Sequence, residues 1–283
     1  MFRMPDGTGD CLSGVLEQPV KPLPDAPLLV IIHGLTGCED SYLVRDAARH
    51  FVAAGLSVLR LNLRGAGPTR GDCTQSYHAG RTGDLDAVLA QLREAGRADR
   101  FVLYGASLGA NMMLKYLGEQ TRPHVVAAVS VSAPIDLARS SERIIQPRNK
   151  LYHHWLLKSM KREALATPGL SVTESKAVAT VRTIFEFDER HVAARNGFEG
   201  ARDYYTQNSA KSYLKGITTP TLIIHALNDP WIPGAGYLDF DWSASPRLTP
   251  LLPLDGGHVG FHDASGSWHL RMAEKFLEEK NVL

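Results

Sequence analysis

Six short apolar runs, with stretches of helical spacing between most of them, restrict what this chain can fold into more than any other feature. They read PLLVIIHG (27–34), LSVLRLNLRG (56–65), FVLYG (101–105), VVAAVSVSAP (125–134), TPTLIIHALNDP (219–230) and PRLTPLLPLDGGH (246–258). A strand that is apolar at nearly every residue must be buried on both faces. A mostly parallel sheet sandwiched between helices satisfies that demand. The cover is present: YLVRDAARHFVAAG (42–55) and GDLDAVLAQLREAG (83–96) have helical spacing and stop at a glycine. SLGANMMLKYLG (107–118) continues from the third strand as a helix, and GSWHLRMAEKFLEEK (266–280) is amphipathic. The prediction is an α/β fold: a mostly parallel central sheet with helices on both faces.

The alternation lapses between Leu137 and about Tyr205. RIIQPRNKLYHHWLLKSMKREALA, SVTESKAVATVRTIFEFDERHV and FEGARDYYTQNS are helical in composition and strand-free, yet they lie between two sheet strands. We divide the chain into a first core part (1–137), a helical insertion (138–205) and a second core part (206–283). Doubly wound sheets bind ligands outside the carboxyl ends of their strands, so the insertion is expected to act as a lid there. Tyr152, Trp155 and Leu156 are candidates to line a pocket beneath it. The basic stretches SERIIQPRNK (141–150) and KSMKRE (158–163) read as a solvated face.

A net charge of +1, 44% hydrophobic and 22% charged residues, and no block of like charge give no sign of nucleic acid or an anionic membrane surface as partner. No apolar run is long enough to span a bilayer, and MFRMPDGTGDCLSG has no signal-peptide core, so a cytoplasmic protein without a membrane anchor is expected. Cys11, Cys38 and Cys73 are odd in number, widely spaced and without a CxxC. They read as reduced thiols, with neither disulfide nor zinc site. Phosphate-binding and metal motifs are absent, and no cofactor or metal is expected.

The third strand runs into Gly105-Ala-Ser107-Leu-Gly109, and a helix follows. Strand, tight turn and helix are the setting of a nucleophile elbow, in which Gly105 and Gly109 give room that side chains would fill. A serine hydroxyl is a weak nucleophile and needs a base. His258, in the glycine-loosened loop LDGGHVGF after the last strand, is the best placed of eleven histidines. Of the others, His262 is a nearby rival and His269 reads as a surface residue of the last helix. His225 reads as a hydrogen-bonded core residue, and the His153–His154 pair as structural or pocket-lining. The orienting acid is assigned to Asp229, just past a strand end and before a proline. Asp255 lies too close to His258 in sequence, and Asp136 follows the wrong strand. The order Ser107, Asp229, His258 is that of an α/β-hydrolase. Oxyanion donors are expected at the backbone N–H of Leu108, after the nucleophile, and of Leu35, in the loop after the first core strand. His33 is expected to prop that loop.

Beyond this general pattern, HGLTGCEDSYLVRDAARHFVAAGLSVLRLNLRGAG, YHAGRTGDL, YGASLGANMMLKYLGE, SAPIDL, FDERHVAARNGFEGARDYYTQNSA, PTLIIHALNDP and GGHVGF together resemble the YheT-like α/β-hydrolases. That family comprises bacterial esterases related to eukaryotic membrane-anchored phospholipases and yeast medium-chain ethyl ester synthases. The likeness runs from about Pro27 to the C-terminus. It implies Ser107 as nucleophile, Asp229 as acid, His258 as base, and a helical cap over residues 138 to 205. The anchor of the eukaryotic relatives is not carried over.

The expected activity is a serine carboxylesterase acting on small-molecule esters of short to medium acyl chain through an acyl-enzyme. Alternatives are acyl transfer to an alcohol, a lipase or phospholipase, and, last, a non-catalytic binding module on a hydrolase fold. Oligomeric state is not legible in the sequence.

Overall fold

The six apolar runs and one further N-terminal strand pair into one seven-stranded sheet, seen in a computed structural model that describes all 283 residues. Its strands are β1 (Gly14–Glu17), β2 (Leu28–Ile32), β3 (Val58–Leu61), β4 (Phe101–Ala106), β5 (Val125–Val131), β6 (Thr221–Ile224) and β7 (Leu248–Leu251). They lie side by side in the order β1-β3-β2-β4-β5-β6-β7. Only β1 is antiparallel, against β3; every other pairing is parallel. The strand order makes the sheet doubly wound, and all residues of β2 and β4 are buried.

Successive strand residues point to opposite faces, and the two cores follow that period of two. Leu28, Val30 and Ile32 join a cluster of 32 buried residues on one face, while Leu29 and Ile31 join one of 22 on the other. Helices α2 (Thr82–Glu94) and α3 (Leu108–Glu119) cover the first face through Leu85, Val88, Met113 and Leu117. Helix α1 (Tyr42–Ala53) and the C-terminal helix cover the second through Val44, Phe51, Leu270 and Phe276.

Between β5 and β6 the chain is helical. Helices α4 (Leu137–Ile144), α5 (Lys150–Leu165) and α6 (Val172–Thr180) are followed by a short α7 (Ile184–Phe187) that runs straight into a π-helical turn, Asp188–Ala193. Helix α8 (Ala201–Asn208) returns the chain to the sheet. Local chemistry explains the starts. Asp136 caps α4 by accepting the Arg139 N–H, and Ser171 with Glu174 forms a reciprocal capping box on α6. Asp136 therefore has a structural task. No helix is long and apolar enough to cross a membrane.

Two features depart from the sequence reading. Strand β1 was not anticipated: it is a half-exposed edge strand with Val15 and Leu16 partly open, so it lacks the continuous apolar run that marked the others. His269, read as a surface residue, is buried at 3% exposure in α9 (Trp268–Glu279), where it packs 5.6 Å from the Phe261 ring. Helical spacing alone left the orientation of that position ambiguous. Burial depresses its pKa to about 4, so it is held neutral.

Candidate active site

At the end of β4 the chain reverses into α3, and Ser107 sits on the reversal with φ of 51° and ψ of −124°. A non-glycine residue with positive φ is strained, and such strain concentrates at functional turns. The flanking glycines answer to close contacts. A Cβ at Gly105 would lie 2.6 Å from Ala110 Cα, and one at Gly109 would lie 2.3 Å from the His33 carbonyl oxygen. Both neighbours are backbone and cannot give way.

Asp229 stands just beyond β6 and His258 in the loop after β7. The His258 Nδ1–H donates to Asp229 Oδ2 at 2.7 Å, and the Ser107 hydroxyl donates to His258 Nε2 at 3.0 Å. An ionised carboxylate can only accept, which requires the proton on Nδ1 and leaves Nε2 free as a base. Burial pushes the Asp229 pKa up, but the His258 hydrogen bond and the Trp231 and Ile232 N–H groups outweigh it and hold the carboxyl below its ordinary value. Those two N–H groups occupy Oδ1 at 2.8 and 3.0 Å. The carboxylate is thus ionised and locked.

Three supports of this line escaped the sequence reading. Asn228 donates to Asp255 at 2.9 Å and accepts the Gly257 N–H at 2.9 Å, stapling the acid loop to the base loop. Asp255 serves there. Ser132, at the end of β5 and also at positive φ, donates its hydroxyl to the His258 carbonyl. The Trp231 ring lies 4.7 Å from the His258 ring, and Tyr152 of α5 stacks on Trp231 at 3.5 Å. An aromatic two residues after the acid was the one visible hint.

Gly34 and Leu35 follow β2, and a Cβ on Gly34 would lie 3.0 Å from Ser107 Cβ, so this loop abuts the serine. Neither Leu35 N–H nor Leu108 N–H donates to another protein group, the latter because it opens a helix. His33 holds the loop: its Nδ1 bonds the Gly34 carbonyl at 2.8 Å and its Nε2 accepts the Leu63 N–H at 3.1 Å. Burial lowers its pKa to about 4. The other histidines lie elsewhere. His225 is buried and stacked on Tyr237, but neither ring nitrogen has a hydrogen bond, contrary to the sequence expectation. His153 accepts the Ile184 N–H inside the insertion, and His262 is exposed.

Ser107 and His258 open on a cavity of about 380 Å³ lined by 35 residues, of which 21 are hydrophobic, while Asp229 lies buried behind His258. Tyr152, Trp155 and Leu156 all line it. Its polar exceptions include Asp188, on the π-helical turn, which accepts from Tyr205 at 2.6 Å; burial raises its pKa to about 7, against the lowering effect of that bond. No cluster of His, Cys, Asp or Glu is arranged to hold a metal. A strained serine bonded to an imidazole, free N–H groups beside it and a largely apolar cavity are the parts that nucleophilic attack on an acyl group uses.

Comparison with known proteins agrees with this chemistry. Residues 27–265 match the family described as alpha/beta hydrolase fold. The chain is 34% identical over 241 residues to YheT of Escherichia coli (strain K12), across 83% of this chain and 70% of that protein. It is 32% identical over 267 residues to the monoacylglycerol lipase of Saccharomyces cerevisiae, across 89% of this chain but only 59% of the yeast protein's length. Among solved structures, an esterase of Pyrococcus furiosus superposes with a TM-score of 0.67 over 98% of this chain and 89% of that one. Their identity is 16%, so the likeness speaks for the fold alone.

Proposed function

The chain belongs to the α/β-hydrolase family, with YheT as a relative, and from that premise we propose that it is a serine carboxylesterase working through an acyl-enzyme. The observation that carries the reading is the unbroken line Asp229–His258–Ser107, with both links at hydrogen-bond length, facing a largely apolar cavity.

In this mechanism His258 Nε2 takes the Ser107 proton as Oγ attacks the ester carbonyl. Asp229 holds the imidazole in the productive tautomer and stabilises the imidazolium. The tetrahedral oxyanion is received by the N–H groups of Leu35 and Leu108, the latter at the positive end of α3. His258 then protonates the leaving alcohol, and the same imidazole activates water to release the acid. The insertion, residues 138–205, acts as the lid, and its apolar side chains accept the acyl chain, which we propose to be short to medium in length. The yeast relative's name adds monoacylglycerols to the esters worth testing.

The test is hydrolysis of p-nitrophenyl esters of graded acyl length by the wild type and by Ser107→Ala. A loss of roughly 10⁴–10⁶-fold in kcat is expected, leaving only the residue of catalysis that binding and oxyanion donors provide. Wild-type hydrolysis in Ser107→Ala would sink the reading.

A further inference from the structure

The loop that carries the Leu35 N–H is held from the lid side as well as from the sheet. Thr36 has φ of 56°, a left-handed conformation that a β-branched residue adopts only under constraint. Its N–H donates to Tyr77 Oη at 2.7 Å. Tyr77 lies between β3 and α2, in the YHAGRTGDL segment for which the triad gives no role, and its ring meets His33 edge-on at 5.5 Å.

The hydroxyl has a second partner. Tyr77 Oη–H donates to Glu163 Oε2 at 3.3 Å, and Glu163 Oε1 accepts from Arg70 Nη2 at 2.9 Å. Glu163 belongs to α5, inside the insertion, whereas Arg70 and Tyr77 belong to the core. The phenol is filled in both senses: its one proton goes to the lid carboxylate and its oxygen receives the Thr36 N–H. Burial keeps that phenol far above its ordinary pKa and therefore neutral. A neutral hydroxyl polarised by an acceptor is a better acceptor itself, so a seated Glu163 tightens the hold on Thr36.

Resting on the esterase reading above, we infer that Tyr77 is a positioning residue that sets the oxyanion loop only when lid helix α5 is seated, through the line Arg70–Glu163–Tyr77–Thr36. Closure of the lid over a substrate and completion of the oxyanion site are then one event. An unseated α5 leaves Thr36 free to relax from its left-handed conformation, and the Leu35 N–H turns away with it. Water entering an open site finds a weakened catalyst.

Steady-state kinetics on a soluble p-nitrophenyl ester tests this with Tyr77→Phe, Glu163→Ala, Glu163→Gln and the double variant Tyr77→Phe/Glu163→Ala. Tyr77→Phe keeps the ring against His33 and removes only the hydroxyl. Misplacing one oxyanion donor is expected to lower kcat by about 10–100-fold, less than outright loss of a donor, with KM moving under about threefold. Glu163→Ala should lower kcat by a smaller factor, and Glu163→Gln, which retains an oxygen acceptor, should recover most of it. Because Glu163 acts through Tyr77, the double variant should match Tyr77→Phe alone. Melting temperatures check that each variant is folded. A Glu163 variant that fails to fold is replaced by Arg70→Ala, which unties Glu163 from the core and should lower kcat by a similar small factor. Thr36→Gly, which takes the positive φ without strain, should make kcat less sensitive to either change.

Wild-type kcat in Tyr77→Phe, or independent multiplicative losses in the double variant, overturns the relay while leaving the esterase reading intact. A wild type that neither turns over esters nor is labelled at Ser107 by a fluorophosphonate overturns the esterase reading, and the relay falls with it.

Discussion

The sheet core and the helical insertion solve opposite problems within one cavity. The core contributes Ser107, Asp229 and His258 from the ends of strands whose residues fill two clusters of 32 and 22 buried side chains. The insertion contributes much of the wall, but its own largest cluster has nine buried residues, among them Leu156, Leu157, Met160 and Val178. Along α5, Leu151 and Trp155 remain 89% and 56% exposed. Polar ties add to the holding there: Tyr205 to Asp188 and Ser141, and Arg195 to Glu174. A thick apolar core opens only with global unfolding, whereas a thin layer on polar ties opens locally at much lower free energy. Reacting atoms need positions good to a fraction of an ångström, while a wall that admits substrate must be able to move.

The contrast predicts where damage should appear. Asp229→Asn, in the rigid half, should lower kcat by about 10⁴-fold with the fold intact, because His258 loses the partner that fixes its tautomer. Steady-state kinetics beside a melting curve measures both. Full activity in that variant would remove the core's claim to the chemistry.

A smaller effect belongs to the insertion. Leu157→Ala empties part of the nine-residue cluster, where such truncations in well-packed cores destabilise by roughly 2–5 kcal/mol. Hydrogen exchange should quicken between residues 144 and 187 and leave β4 unchanged, with KM rising more than kcat falls. Faster exchange in β4 would mean that the two regions unfold as one, and the comparison would fail.

The smallest expected effect is a pH dependence. Burial raises the Asp188 pKa from 3.8 to about 7, so the folded protein binds this proton more tightly than the unfolded chain. Its contribution to stability is complete below about pH 4 and is lost as pH rises through about 7. Relative to Asp188→Asn, the wild-type melting temperature should therefore fall by a few degrees between about pH 4.5 and 7.5. A wild type that gains stability over the variant across that window would show that Asp188 is ionised in the fold. The cavity wall would then be more polar than described.

The sequence by itself determined six of the sheet's seven strands. Apolar runs bounded by turns demand burial on both faces, and that demand is local enough to read one segment at a time. Chain order and strand ends also singled out Ser107, Asp229 and His258, which the fold brings within hydrogen-bond distance. Edge strand β1 and the burial of His269 escaped because a half-apolar segment or a single helical position does not declare its neighbours. The supports of the site were decided by tertiary structure alone. Thr36 meets Tyr77 across 41 residues of chain, and Ser132 meets the His258 carbonyl across 126. Asp188 owes its raised pKa to burial in an insertion whose packing no short window encodes. Apolar periodicity reports how much of a segment must leave water, but a hydrogen bond between distant residues exists only once the whole chain has set their distance and direction.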